Sequence, residues 1–337
     1  MSPLRAVGRI ALGIACGLVL ALGVVWAAAA LWIDGPAARP LAGILAGGLL
    51  VAEIAIFVLL RPWGRAFLAG TALFAVVLMW WLAIPASNER DWQPDVARLP
   101  VATFDGDRVT ITNVRNFNYR SETDYDERWE TRTYDLAKLR GADLFISYWG
   151  PTQIAHTIVS WEFEDAPPLA VSIETRKERG ESYSALLGFF RQYELYYVVA
   201  DERDLVGLRT NHRGEQVFLY RFRSPPGFAR SLLVSYLDEI NELAARPKWY
   251  NAGTQNCTTT IRLHVRQAGV QNPLDWRLFL NGHLDELIYE RRNVDTTLPF
   301  PEMRARSDIT ARAKAGGDAP GFSARIREGL PPRPPPA

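Results

Sequence analysis

The sequence predicts an α+β domain set behind three membrane spans, on three observations. The first 86 residues are almost wholly apolar. Beyond them, short runs rich in β-branched and aromatic residues come first, as in strands. Helical periodicity comes late, which is the strands-then-helices order of an α+β fold.

Residues 10–32 and 66–84 carry no charge, and residues 41–60 carry one acid, Glu53. Each run is long enough to cross a hydrocarbon core of about 30 Å as a helix. Trp26, Trp32, Trp63, Trp80 and Trp81 stand at or near the ends of these runs, where amphipathic rings favour the interface. Arg5 and Arg9 precede the first run, and Arg61 and Arg65 fill the second connection. Positive-inside reasoning therefore puts the N-terminus in the cytoplasm and everything after residue 84 outside. Small residues at 27–30 also permit the first run to be a cleaved signal, but its length favours a span. Glu53 is read as an acid facing another helix, there hydrogen-bonded or protonated, rather than as part of a proton path.

Residues 87–305 form the second unit, of a size suited to one core. Residues 108–112, 143–149, 156–163, 169–175, 195–199 and 216–220 read as strands. Residues 182–191 read as a helix. The clearest helix covers 226–245, with Phe228, Leu232, Leu233, Tyr236, Leu237, Ile240 and Leu243 on one face and Pro247 as its stop. Another runs from Asn256 to about Ala268, ending at Gly269. From residue 306 to 337 Arg, Gly, Ala and Pro dominate, a composition that predicts a disordered tail.

Charge is nearly balanced, 38 Lys and Arg against 37 Asp and Glu, so nothing points to nucleic acid. Of the two cysteines, Cys16 lies in an apolar run and Cys257 in a polar context. They are not expected to pair, and a lone thiol in an exported domain calls for a reason. One cysteine and scattered histidines cannot make a zinc cluster, and no glycine-rich phosphate loop is present, so neither metal nor cofactor is expected.

Cys257 opens a helix behind the turn Asn251-Ala252-Gly253. A helix N-terminus favours the thiolate, and its free N–H groups can hold an oxyanion. Asn256, as cap, fixes that first turn, and Asn256 and Thr258 are placed as oxyanion or substrate-positioning residues. A thiolate nucleophile needs a base. His212 and His283 sit in turns, and His264 is two turns down the Cys257 helix, about 10 Å away. His156 opens a strand, and a histidine on a strand beside the cysteine helix is the papain-like arrangement. Its orienting partner is Glu174 first or Ser172 second, on one face of the following strand. The competing reading pairs Glu174 with Arg176 or Lys177. For Cys257 the competing reading is a small buried hydrophobe, since Ile261 and Val265 share its face.

The runs 113–120 (NVRNFNYR), 155–160 (AHTIVS), 172–178 (SIETRKE), 190–195 (FRQYEL), 200–204 (ADERD) and 256–259 (NCTT) resemble the Lnb N-terminal periplasmic domain family, across roughly residues 92–285. The resemblance implies a circularly permuted papain-like (NlpC-type) fold, with His156 as base and Cys257 as nucleophile. It also implies a lipoprotein acyltransferase chemistry, although membrane helices follow the domain in such members and precede it here. Three readings follow. The first is an inner-membrane-anchored, periplasmic thiol acyltransferase or hydrolase acting on lipid or lipoprotein acyl groups. The second is a cysteine peptidase or amidase acting on peptide. The third is a non-catalytic scaffold. The aromatic residues Trp149, Trp161, Trp249 and Tyr250 are candidates for an acyl site, with core packing as the competing reading.

Overall fold

The computed structural model describes residues 3–335 apart from 224–226, 272 and 318. It divides into two compact units, one of residues 1–86 with Leu186–Gln192, the other of the rest.

The first unit is built on α1 (Pro3–Ile33), α2 (Arg39–Leu59) and α3 (Trp63–Leu82). All three are long and apolar enough to cross a membrane. Ala27, Ala30, Ala42 and Ala66 are wholly buried between the helices, where small residues let backbones approach. Leu12, Leu18, Leu22, Ile44 and Val51 point outward, as lipid-facing positions require. Glu53 is buried and faces α3, as expected. A Cβ on Gly70 would lie 2.6 Å from Glu53 Oε2, so glycine there makes the room. Neither oxygen of Glu53 has a hydrogen-bond partner among the described residues.

Residues 182–191 do not form the expected helix; only a 3-10 turn at Leu187–Phe189 remains. Phe190 is buried with Ala30 and Trp81 instead. The Arg191 N–H donates to the Asp34 carboxylate at 3.2 Å, a partner that replaces an intrahelical carbonyl.

Among its described residues the second unit holds ten strands: β1 (Val101–Asp105), β2 (Arg108–Arg115), β3 (Asn118–Tyr119), β4 (Tyr125–Asp126), β5 (Trp129–Asp135), β6 (Leu139–Tyr148), β7 (His156–Phe163), β8 (Leu169–Arg176), β9 (Glu194–Asp201) and β10 (Gln216–Arg221). Eight make one sheet in the order β1-β2-β9-β8-β7-β6-β10, with β5 also on β2. Every neighbour is antiparallel except β2 and β9. β6 to β9 are buried almost throughout, so they read as plain apolar runs. β1 and β5 lie at the exposed margin and lack that signal, which is why periodicity missed them.

The helices are α4 (Glu202–Gly207), α5 (Phe228–Ala245), α6 (Cys257–Gln267), α7 (Leu284–Glu290), α8 (Phe300–Ser307), α9 (Thr310–Gly316) and α10 (Phe322–Arg325). The expected start of α5 at Pro226 falls outside the described residues. Strand side chains alternate, so the sheet has two apolar faces. On one, Trp161 and Tyr197 pack edge-on against Tyr236 of α5. On the other, Phe145, Ile158, Val198 and Leu219 join Leu205 of α4, Ile309, Ala313 of α9 and Phe322 of α10.

The described residues after 305 are therefore not the disordered tail their composition suggests; 318, 336 and 337 of that tail lie outside the described residues. Ile309, Ala313, Phe322 and Ile326 are buried to within a few per cent. The Ile309 N–H donates to the Val217 carbonyl at 3.0 Å, capping the sheet edge at β10. Arg327 spans the buried carboxylates of Asp143 and Glu202 at 2.8 and 2.6 Å, and Arg333 reaches Asp143 at 2.7 Å. Arginines that composition counts as solvating charges are here partners of buried acids. The run Asp201-Glu202-Arg203-Asp204 is likewise structural: Asp204 accepts from Arg115 at 2.7 Å and from the Phe117 N–H at 2.7 Å.

Candidate functional site

Asn256 ends an extended stretch and caps α6. Its side chain accepts from the Thr259 N–H at 3.0 Å, while the Thr259 hydroxyl accepts from the Asn256 N–H at 3.1 Å. This capping box leaves the N–H groups of Cys257 and Thr258 at the open end of the helix. The Asn256 amide is thus occupied by the cap and by the Ala252 carbonyl at 2.8 Å. Cys257 is the first residue of α6, 8 % exposed, with α6 packed on β7 and β8.

His156 is the first residue of β7, and its imidazole is the neighbour that acts most strongly to favour the Cys257 thiolate. Its Nε2 lies 2.6 Å from Ser172 Oγ and 3.1 Å from Glu174 Oε1. That leaves Nδ1 for the sulfur. The Ser172 hydroxyl donates to Glu174 Oε1 at 2.7 Å, so its oxygen is free to accept from Nε2–H. Register explains the pairing: Ser172 stands opposite Ile158, two residues along from His156, and Glu174 follows on the same face. Both sequence candidates for the orienter are therefore engaged, one through the other. Glu174 does not pair with Arg176 or Lys177 but accepts from Arg209 at 2.8 Å. Arg176 is buried over the Trp92 ring at 4.1 Å.

The electrostatics follow from these contacts. Burial pushes the Cys257 thiol up, but the His156 imidazole foremost, with a smaller contribution from the Thr157 backbone, brings it down to about 7. Burial and the Arg209 charge push His156 down, yet the Glu174 carboxylate and the hydrogen bonds to Cys257 and Glu174 raise it to about 9. Burial acts to raise Glu174, and His156, Arg209 and Ser172 outweigh it, holding the carboxyl well below its usual range. Between about pH 7 and about pH 9 the pair is thiolate and imidazolium.

The other histidines stand apart from this array. His264 is buried, its Nε2 2.7 Å from the Tyr197 hydroxyl and its Nδ1 2.8 Å from the Ser235 hydroxyl. Burial lowers it to about 4, so it is a neutral core residue. His283 lies by Glu286, and His212 beside Tyr119. Among the aromatics, Trp161, Trp249 and Tyr250 are buried and Trp149 is half-exposed. Among the described residues, no group of three or more His, Cys, Asp or Glu is arranged to hold a metal.

Asn281 belongs to the site and has no motif to announce it. Its Oδ1 accepts from the Ala155 N–H at 2.8 Å, and its Nδ2 donates to the Ala155 carbonyl at 2.6 Å and to Thr258 Oγ1 at 2.7 Å. Nδ2 is 3.9 Å from Cys257 Sγ. It clamps the residue before His156 to the residue after Cys257. Gly282 permits the approach, since a Cβ there would lie 1.9 Å from the Thr152 carbonyl oxygen. Asn281→Ala is expected to cost about 2–4 kcal/mol, because three buried polar groups lose a partner at once. Urea unfolding measures this, and Asn281→Asp, which can accept from the Ala155 N–H and the Thr258 hydroxyl but cannot donate to the Ala155 carbonyl, should recover a part.

Residues 125–282 match the model of a family described as the Lnb N-terminal periplasmic domain. The matched stretch starts at β4 and takes in His156, Ser172, Glu174, Arg209, Cys257 and Asn281; the run at 113–120 lies outside it. No match to the chain was found among curated proteins or among solved structures.

Proposed function

Taking residues 125–282 as an Lnb N-terminal periplasmic domain, in a chain with three helices apolar enough to cross a membrane, we propose that this membrane protein is a thiol-dependent acyltransferase or hydrolase of the periplasm. In this reading the anchor lies in the inner membrane with its N-terminus in the cytoplasm. The domain is a circularly permuted papain-like enzyme, its histidine strand preceding its cysteine helix. The observation that carries the reading is a helix-opening thiol lowered by an imidazole whose Nε2 is held by Ser172 and Glu174.

The chemistry runs in two halves. The Cys257 thiolate attacks a carbonyl carbon, forming the C–S bond while the carbonyl electron pair moves to oxygen. The N–H groups at the start of α6 face that oxyanion. On collapse the leaving group departs with the proton of the His156 imidazolium, giving an acyl-thioester. An amine or water, losing its proton to His156, then attacks the thioester, and the C–S bond breaks with its electron pair on sulfur, restoring the thiolate beside the imidazolium. Anchorage at a bilayer suits acyl groups of lipid or lipoprotein as donors.

Incubating the full chain with p-nitrophenyl butyrate tests this. The expected result is p-nitrophenol release with a butyryl mass on the Cys257 peptide, removed by neutral hydroxylamine and absent from Cys257→Ala. A Cys257 peptide that stays unmodified under this activated ester refutes the covalent reading.

A further inference from the structure

We infer that Arg209 is a positioning residue for the Cys257–His156 pair, acting through Glu174. The inference rests on the catalytic reading above and extends it to a buried charge behind the orienter.

Arg209 lies on the π-helical turn Leu208–His212 that follows α4, and it is 5 % exposed. Its guanidinium donates to Glu174 Oε1 at 2.8 Å and to Glu215 Oε2 at 3.1 Å. Glu215 is itself buried, bonded to the Ser147 hydroxyl, and its N–H donates to the Arg209 carbonyl at 2.9 Å. The guanidinium is thus held from two sides. Charges alternate through the array: thiolate, imidazolium, Glu174, Arg209, Glu215.

The arrangement has a physical purpose. Glu174 is the least buried member, its side chain 26 % exposed. Free to rotate, it would turn its charge to water and leave Nε2 with Ser172 alone. Arg209 supplies a second charged donor on the same oxygen that faces His156, which fixes the carboxylate there. Lysine, a point charge without a fork, cannot hold two carboxylates in this way. The Arg209 charge itself acts on His156 in the opposite sense, so it is the holding of Glu174 that supports the pair. The remaining titratable groups facing the sulfur are the phenols of Tyr183, Tyr236 and Tyr250, all raised by burial and hence neutral.

The test is the pH profile of Cys257 alkylation by iodoacetamide, on the full chain carrying Cys16→Ala in detergent micelles, beside a thermal melt. Arg209→Gln is expected to move the midpoint up by about one pH unit from its value near 7. At pH 7 that is roughly a fivefold slower reaction. Arg209→Lys is expected to show a smaller upward shift of the same sign, and it decides the matter if Arg209→Gln does not give a cooperative melt. A merely structural arginine lowers the melting temperature and leaves the midpoint in place. That outcome, in whichever variant melts cooperatively, overturns the inference. If the parent chain itself titrates like an ordinary thiol, the catalytic reading fails first, and the inference with it.

Discussion

Replacing His156 with alanine is expected to return the Cys257 thiol from about 7 to its ordinary value near 9 or above. The sign follows from the causes. Burial alone pushes the thiol up, and the largest opposing contribution is His156, as hydrogen-bond partner and as charge. With the imidazole gone, only the Thr157 backbone and the helix terminus remain to hold the thiolate. A shift of about two units lowers the thiolate fraction at pH 7 roughly fiftyfold. Alkylation at pH 7 should slow by that factor, while the rates at pH 10 should converge. His156 stands at the start of its strand, its side chain 11 % exposed, so the fold should tolerate the change. Overlapping profiles for the variant and the parent would mean that thiol and imidazole do not act as a pair.

Arg327→Ala is expected to destabilise the sheet unit by about 3–5 kcal/mol at pH 7, the range for stranding buried charges by removing their partner. Glu202 is wholly buried and takes two bonds from Arg327, at 2.6 and 2.7 Å, beside the Ser160 hydroxyl. Asp143, also wholly buried, keeps Arg333. The pH dependence has a definite sign. In the parent chain burial tends to raise Glu202, but Arg327 and the serine hydroxyls hold it below the usual glutamate range. That stabilisation is present above the unfolded value and is lost as pH falls through the folded one. In the variant, burial acts with no arginine to oppose it, so the folded carboxyl rises above its unfolded value. The penalty is then greatest at pH 7 and shrinks as Glu202 takes up a proton toward pH 4. Urea unfolding at both pH values measures the difference. A loss equal at both, or below about 1 kcal/mol, would mean that the C-terminal segment does not dock on these acids.

This segment also shows where composition misleads. Residues 306–337 are read as solvated because arginine and proline dominate them. Their few apolar residues, Ile309, Ala313, Phe322 and Ile326, are too sparse to give a period, and their burial depends on a sheet face assembled from distant strands. The same holds for residues 182–191, where Phe190, read as part of a helix, is spent on Ala30 and Trp81.

What the sequence determined by itself is what depends on near neighbours. The three apolar helices follow from unbroken runs, because a bilayer imposes its requirement on each span separately. The buried strands β6 to β10, the stripe of α5 and the Asn256 cap before Cys257 follow from period and capping chemistry within a few residues. His156 and Cys257 were legible as residue types in suitable local settings. What only the tertiary structure decided is which distant groups meet. The register of β7 on β8 sets Ser172 and Glu174 together on His156. Arg209 reaches Glu174 across 35 positions, and Asn281 reaches Ala155 across 126. Neither residue has a signature in its own neighbourhood, because a buried hydrogen bond is specified by the space left between packed elements and not by the chain on either side of it.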